Sequence, residues 1–278
     1  MNDAALRDAA AAWLAGGRAA MQVSVAGARG SVPRGDGTRM LVSADAVLGT
    51  IGGGHLEWQA IAQARQLLAT PRLLPRTQDI ALGPTLGQCC GGALTLRYEP
   101  FDAAALARWR LPAPLFSLQL YGAGHVGRAI VQLLEGLHCR VQWIDERDAE
   151  FPDAPSAAHI ERFCVEPVEA EVRSAAPGSF YLVLTHSHAL DQRITEAILQ
   201  RGDFGYLGLI GSATKRARFL HRFEQRGIAA EALARMTCPI GVPGIAGKEP
   251  AQIAIAVVAQ LLQHAAVLQP QVLAITTG

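Results

Sequence analysis

The chain has 278 residues, half of them hydrophobic and 18% charged, with 25 Lys+Arg against 24 Asp+Glu. That length fits one large domain or two smaller ones, and the composition supports a packed core and excludes wholesale disorder. A formal net charge of +1 gives no whole-chain electrostatic footprint for nucleic acid.

Residues 4–15 read as an alanine-rich helix anchored by Leu6, Trp13 and Leu14. The N-terminal stretch 1–17 has acidic residues where a signal peptide needs basic ones, so no leader is expected. Residues 21–26 read as a strand, followed by the Gly- and Pro-rich loop 27–37 with Arg29 and Arg34. Two strands, 39–43 and 46–51, lead to Gly52, Gly53 and Gly54 and a helix from His55 to about residue 69. That helix places Leu56, Ala60, Ala64 and Leu67 on one side. Residues 79–98 read as a strand pair, with GQCCGG (87–92) ahead of its second strand. A connector over 99–114, carrying Pro100, Pro112 and Pro114, ends the first domain.

Beyond residue 115 the pattern changes. Strands at 115–121, 140–145, 181–185 and 206–210 alternate with helices at 126–136, 191–201, 214–226 and 250–264. Such alternation implies a parallel sheet. The longest apolar run, 253–262, is too short for a membrane span and contains Gln260, so no membrane is expected. The expected fold is therefore α/β: an N-terminal α/β domain over 1–100, a linker over 101–114, and a Rossmann-like parallel-sheet domain over 115–278.

Four segments carry chemistry. Gly122, Gly124 and Gly127 form a GxGxxG between a strand and a helix, with Asp145 ending the next strand. This is the context of a dinucleotide fingerprint. Its glycines would allow a tight turn, close approach of a pyrophosphate and close helix–strand packing, and Asp145 would accept from a ribose hydroxyl. A Rossmann domain holding no nucleotide would carry the same pattern. The triplet Gly52–Gly54 also opens a helix, near Arg34 and Arg39, and suits either an anion or a tight turn; Glu57 complements the helix dipole.

Gln88, Cys89 and Cys90 lie in a glycine-flanked turn, where an exposed thiolate could ligate a soft metal or carry sulfur. Gln88 could pair with a heterocyclic ring. Cys139, Cys164 and Cys238 read as small core residues. Five cysteines make no disulfide framework, which places the chain in a reducing cytoplasm.

Thr185-His186-Ser187-His188-Ala189-Leu190-Asp191 follows a buried strand. It suits a polar ligand contact or a helix cap by Asp191 better than a metal. Lys215, Arg216, Arg218, Arg222 and Arg226 give one helix a basic surface, either a solvated face or a dock for an acidic partner. Gly244–Lys248 has the wrong spacing for a phosphate-binding P-loop.

In order along the chain, GSVPRGDGTRML (30–41), GTIGGGHLE (49–57), GQCCGG (87–92), YGAGHVG (121–127), LTHSHALD (184–191), GLIGSATKRARF (208–219) and CPIGVPGIAGKEPAQIAIAVVAQLL (238–262) resemble the XdhC/CoxI family. The resemblance spans nearly the whole chain. Some relatives carry Cys after the glycine triplet where this chain has His55, and Lys248-Glu249-Pro250 departs from the commoner pattern.

The resemblance implies a chaperone rather than an enzyme, with no catalytic residue of its own. It implies binding of molybdenum cofactor (molybdopterin), support of its sulfuration with a cysteine desulfurase, and insertion into the molybdenum subunit of a xanthine dehydrogenase. It further implies a cytoplasmic homodimer serving purine catabolism. The expected cofactor contacts are Arg34, Gly52, Gly53, Gly54, Gln88, Cys89, Cys90, Gly122, Gly124, Gly127, Asp145, His186 and His188, with Cys90 at the molybdenum. Glycine turns with arginines, an amide and exposed sulfur match the cofactor's phosphate, pterin and dithiolene–metal end respectively. Two other readings stand beside it. One is an NAD-dependent oxidoreductase using Gly122–Asp145, with His186 or His188 as acid; the other is a metal-dependent hydrolase built on His186, His188 and Asp191.

Overall fold

The computed structural model describes residues 3–70, 74–82 and 91–268. The chain divides into two compact units, the first running through Pro112 and the second starting at Ala113.

The first unit is built on a five-stranded antiparallel sheet of order β3-β2-β1-β5-β4. Its strands are β1 (Met21–Arg29), β2 (Arg39–Val42), β3 (Val47–Gly49), β4 (Arg76–Ala81) and β5 (Ala93–Pro100). Alternation along the strands assigns the two faces. Met21, Val23, Val25, Met40, Val42, Leu94 and Leu96 meet Leu56, Ala60 and Ala64 of helix α2 (Gly54–Leu68). Leu41 faces the other way, into a smaller cluster with Leu6 and Ala10 of α1 (Asp3–Ala15).

Phe101, Ala105 and Trp109 complete that cluster. They belong to the stretch expected as a linker, which instead carries helix α3 (Ala103–Arg108). Asp102 caps α3, its carboxylate accepting from Ala105 N–H at 2.7 Å. The three prolines around it suggested a connector; the apolar residues between them pack as a helix.

The second unit carries a six-stranded, all-parallel sheet of order β11-β10-β9-β6-β7-β8. The strands are β6 (Ser117–Tyr121), β7 (Arg140–Asp145), β8 (Ile160–Cys164), β9 (Phe180–Val183), β10 (Tyr206–Leu209) and β11 (Met236–Thr237). The chain lays down β6, β7 and β8 outward, returns beside β6 with β9, and continues through β10 to β11. The order therefore reverses between β6 and β9, the position where open α/β sheets place ligands.

One face of the sheet packs on α4 (His125–Leu134) and α8 (Pro250–Leu268), through Leu118, Leu120, Trp143 and Leu182 against Ile130, Val131, Leu134, Val257 and Leu261. The other packs on α5 (His188–Arg201) and α6 (Ala213–Gln225), through Tyr181, Val183, Leu207 and Leu209 against Ile194, Ile198, Phe219 and Phe223. The architecture is mixed α/β, an antiparallel sheet followed by a Rossmann-like parallel sheet.

Strands β8 and β11 and the short helix α7 (Ala230–Ala234) add to the elements expected from the sequence. Strand β8 buries only Ile160 fully, and β11 spans two residues, so neither has a hydrophobic period to read. Helix α8 is longer than expected. At 19 residues it is, among the described residues, the one helix long and apolar enough to cross a membrane by length and composition. Ala254, Val257, Val258, Leu261 and Ala265 place one side of it in the core of the second unit.

Candidate functional site

In the first unit, strand register gathers three of the segments singled out in the sequence. The pairs Arg29↔Ala93, Ser24↔Arg39 and Met40↔Gly49 put the end of β1, the starts of β5 and β2 and the end of β3 at one end of the sheet. The 30–37 loop, the glycine triplet and Gly91–Gly92 all leave from that end. They pack closely: a Cβ on Gly92 would lie 2.4 Å from Ser31 O, and one on Gly52 would lie 2.5 Å from Pro33 Cβ and 3.6 Å from Arg34 Cγ. The structure thus brings Arg34 beside the triplet. Gln88, Cys89 and Cys90 lie outside the described residues.

The triplet adopts positive φ at all three glycines, 127°, 75° and 66°, where a Cβ is strained. Its donors already hold an anion. Glu57 Oε2 accepts from Ile51 N–H at 3.0 Å, from Gly53 N–H at 3.1 Å and from the Thr50 hydroxyl. Glu57 does more than complement the helix dipole; its carboxylate sits in the turn. A Cβ on Gly53 would meet nothing within 4 Å, so the space beside that residue is open. Trp58, 66% exposed, stacks on His55 in the first turn of α2.

In the second unit the GxGxxG turn joins β6 to α4 at the switch point. Gly122 (φ 122°) and Gly127 are required sterically, since a Cβ would lie 2.4 Å from Leu184 O at the first and 2.1 Å from Gly122 O at the second. Gly124 differs: its φ of −68° suits any residue and a Cβ would meet nothing within 4 Å.

Asp145, 5% exposed, ends β7 beneath this turn. Its Oδ2 accepts from Ala123 N–H at 2.7 Å and Arg147 Nη2 at 3.0 Å, and its Oδ1 from Arg147 N–H and Nε, each at 3.0 Å. Burial alone would raise this carboxyl, but the Arg147 and Ala123 hydrogen bonds outweigh it and hold it below its ordinary value. Arg147 Nη1 also reaches Glu150, which Arg128 binds from the other side.

The histidines do not converge. His186 Nε2 lies 3.6 Å from Glu146 Oε1, while His188 Nδ1 pairs with Arg218 at 3.0 Å. Asp191 does not cap α5; Ser187 does, accepting from Leu190 N–H. Asp191, 1% exposed, instead accepts from Thr185 N–H and hydroxyl and from Lys215 Nζ at 2.5 Å. Among the described residues no cluster of three or more His, Cys, Asp and Glu could hold a metal.

Sequence reading also missed that Lys215 is buried at 7% exposure, with Ile210 O as its second acceptor. The basic surface of α6 is largely spoken for: Arg218 pairs with His188, Arg222 donates to Gln192, and Arg226, just past the helix, pairs with Glu196. Cys139 and Cys238 are buried as expected, but Cys164 is exposed at the end of β8, the edge strand of its sheet.

A family model described as the XdhC Rossmann domain matches residues 118–261, more than half of the chain, and one described as the XdhC and CoxI family matches residues 13–76. The chain belongs to the XdhC family. The Escherichia coli (strain K12) protein YqeB is 34% identical over 246 residues, 84% of this chain, and the chain spans 41% of that relative's length. A crystal structure described as a xanthine dehydrogenase from Bacillus halodurans superposes with a TM-score of 0.76 at 21% identity, covering 100% of this chain and 98% of that one, which establishes a shared fold.

Proposed function

We propose that this XdhC-family chain is an accessory protein that carries molybdenum cofactor to a xanthine dehydrogenase, supports its sulfuration with a cysteine desulfurase, and catalyses no turnover of its own. One observation carries the reading furthest: the 30–37 loop, the glycine triplet and the end of the cysteine segment meet at one end of the first unit's sheet, around a turn whose N–H groups already hold a carboxylate.

The residues fit the cofactor's phosphate. Glu57 acts as a stand-in anion on Ile51 and Gly53, the space beside Gly53 is open, and Arg34 adjoins Gly52. When bound, the cofactor would supply a phosphate, a hydrogen-bonding pterin and a soft metal end. Gly52–Gly54 and Arg34 would hold the first in place of the Glu57 carboxylate, Gln88 the second, and Cys90 with Cys89 the third. Work as a homodimer in the cytoplasm belongs to the same proposal.

The test is to purify the chain from cells that make molybdenum cofactor and to measure bound molybdenum and pterin. Both are expected, with loss of molybdenum in Cys90→Ala. A chain carrying neither, or a Cys89→Ala/Cys90→Ala variant that retains both in full, overturns the reading. A second reading, an NAD-dependent oxidoreductase, would use the GxGxxG at the switch point; turnover of NADH with a purine or aldehyde would establish it.

A further inference from the structure

The turn after β6 and the acid ending β7 have the layout of a dinucleotide site, in which that acid accepts from a ribose hydroxyl. Acceptor capacity decides whether Asp145 can do so. A carboxylate offers about four lone-pair positions. At Asp145 four donors fill them: Ala123 N–H and Arg147 Nη2 on Oδ2, Arg147 N–H and Nε on Oδ1. All four come from the chain itself, and the carboxylate is 5% exposed.

Two of the four are the Nε–Nη2 fork of Arg147, a paired geometry that matches a carboxylate edge. The fork is pinned from behind, because Arg147 Nη1 donates to Glu150 at 3.2 Å and Glu150 is also held by Arg128 at 2.9 Å. A ribose hydroxyl seeking Asp145 would have to strip away a charged donor that is itself anchored. The phosphate half of the turn is different, since the space over Gly124 is open.

We propose that Arg147 sets the specificity of the glycine turn: it caps Asp145 against ribose diols, so that the native turn does not accept adenine dinucleotides of the NAD type. The proposal concerns the second unit alone and does not rest on the molybdenum-cofactor reading.

The probes are NADH and ADP-ribose, titrated calorimetrically into the full chain. Wild type should bind each more weakly than about 1 mM. Arg147→Ala removes the two side-chain donors from Asp145 and leaves two acceptor positions open, and should bind NADH at least about tenfold tighter, as expected for one new hydrogen bond to a charged group. Arg147→Gln removes the charged fork with a smaller change in volume and should shift in the same direction. Adding Asp145→Asn to Arg147→Ala should abolish the gain. Circular dichroism and thermal melting verify that each variant is folded. Micromolar NADH binding by wild type overturns the proposal, and so do folded Arg147 variants with no gain.

Discussion

Glu57 Oε2 lies 3.1 Å from the N–H of Gly53, four residues earlier, so helix α2 supplies the anion at its own N-terminus. The same oxygen takes Ile51 N–H and the Thr50 hydroxyl. Removing it leaves donors without their acceptor. Glu57→Ala should therefore cost about 1–2 kcal/mol of stability. Inorganic phosphate should then raise the melting temperature of the variant more than that of wild type. Equal phosphate effects on the two proteins would show that the triplet is no anion cradle.

The three glycines of the second turn should respond differently to alanine. Gly124→Ala meets open space at an ordinary φ and should change stability by less than about 0.5 kcal/mol. Gly127→Ala would force a Cβ to 2.1 Å from Gly122 O and should cost about 1–3 kcal/mol or prevent folding. Gly122→Ala combines a clash with Leu184 O and a positive φ, and should behave likewise. Urea melts of the three variants provide the comparison.

Lys215 and Asp191 form a buried ion pair that ties the loop after β10 to the loop after β9. Lys215→Met strands the Asp191 charge and should cost about 3–5 kcal/mol. The double variant Lys215→Met/Asp191→Asn carries no stranded charge and should recover part of that loss. A double-mutant cycle measured in urea tests the coupling; additive losses would refute it.

Acid stability should carry the mark of Asp145, whose carboxyl is held below its ordinary value by Arg147 and Ala123 against the opposing effect of burial. A depressed folded value means that the ionised form stabilises the fold above the unfolded pKa of about 3.9, and that this stabilisation disappears as pH falls through the folded value. Asp145→Asn should thus be less stable than wild type at neutral pH. The gap should narrow as the pH drops below about 4. A gap independent of pH would mean that the carboxylate's charge is not what Arg147 and Ala123 hold.

Thiol reactivity should separate the cysteines by burial. In a Cys89→Ser/Cys90→Ser background, iodoacetamide at mildly alkaline pH should label Cys164, which is exposed. Cys139, with its thiol pushed up to about 12 by burial, and Cys238, raised by burial as well, should stay unlabelled until the protein unfolds. Peptide mapping by mass spectrometry reads the result directly.

The glycine turn of the second unit was legible because GxGxxG, the strand before it and the helix after it agree on one structure. The saturation of Asp145 was not read, although a signal existed: Arg147 is two residues on, the spacing that returns a side chain to the same side of an extended segment. Lys215 offered no such signal. Its charge suggested solvent, and its burial depends on Asp191, 24 residues earlier on another helix. The clustering at the end of the first sheet followed from register, which single-strand patterns do not encode. Nothing local in the sequence marks β8 as an edge, so the exposure of Cys164 has no sequence signal either.

Trp143, the one tryptophan after residue 112, is fully buried and donates its indole N–H to Gly122 O at 3.1 Å. The glycine turn therefore carries its own optical reporter. Any ligand that shifts the Gly122 carbonyl changes the environment of this indole, so emission followed in a variant lacking Trp13, Trp58 and Trp109 would register binding at the turn without an added label.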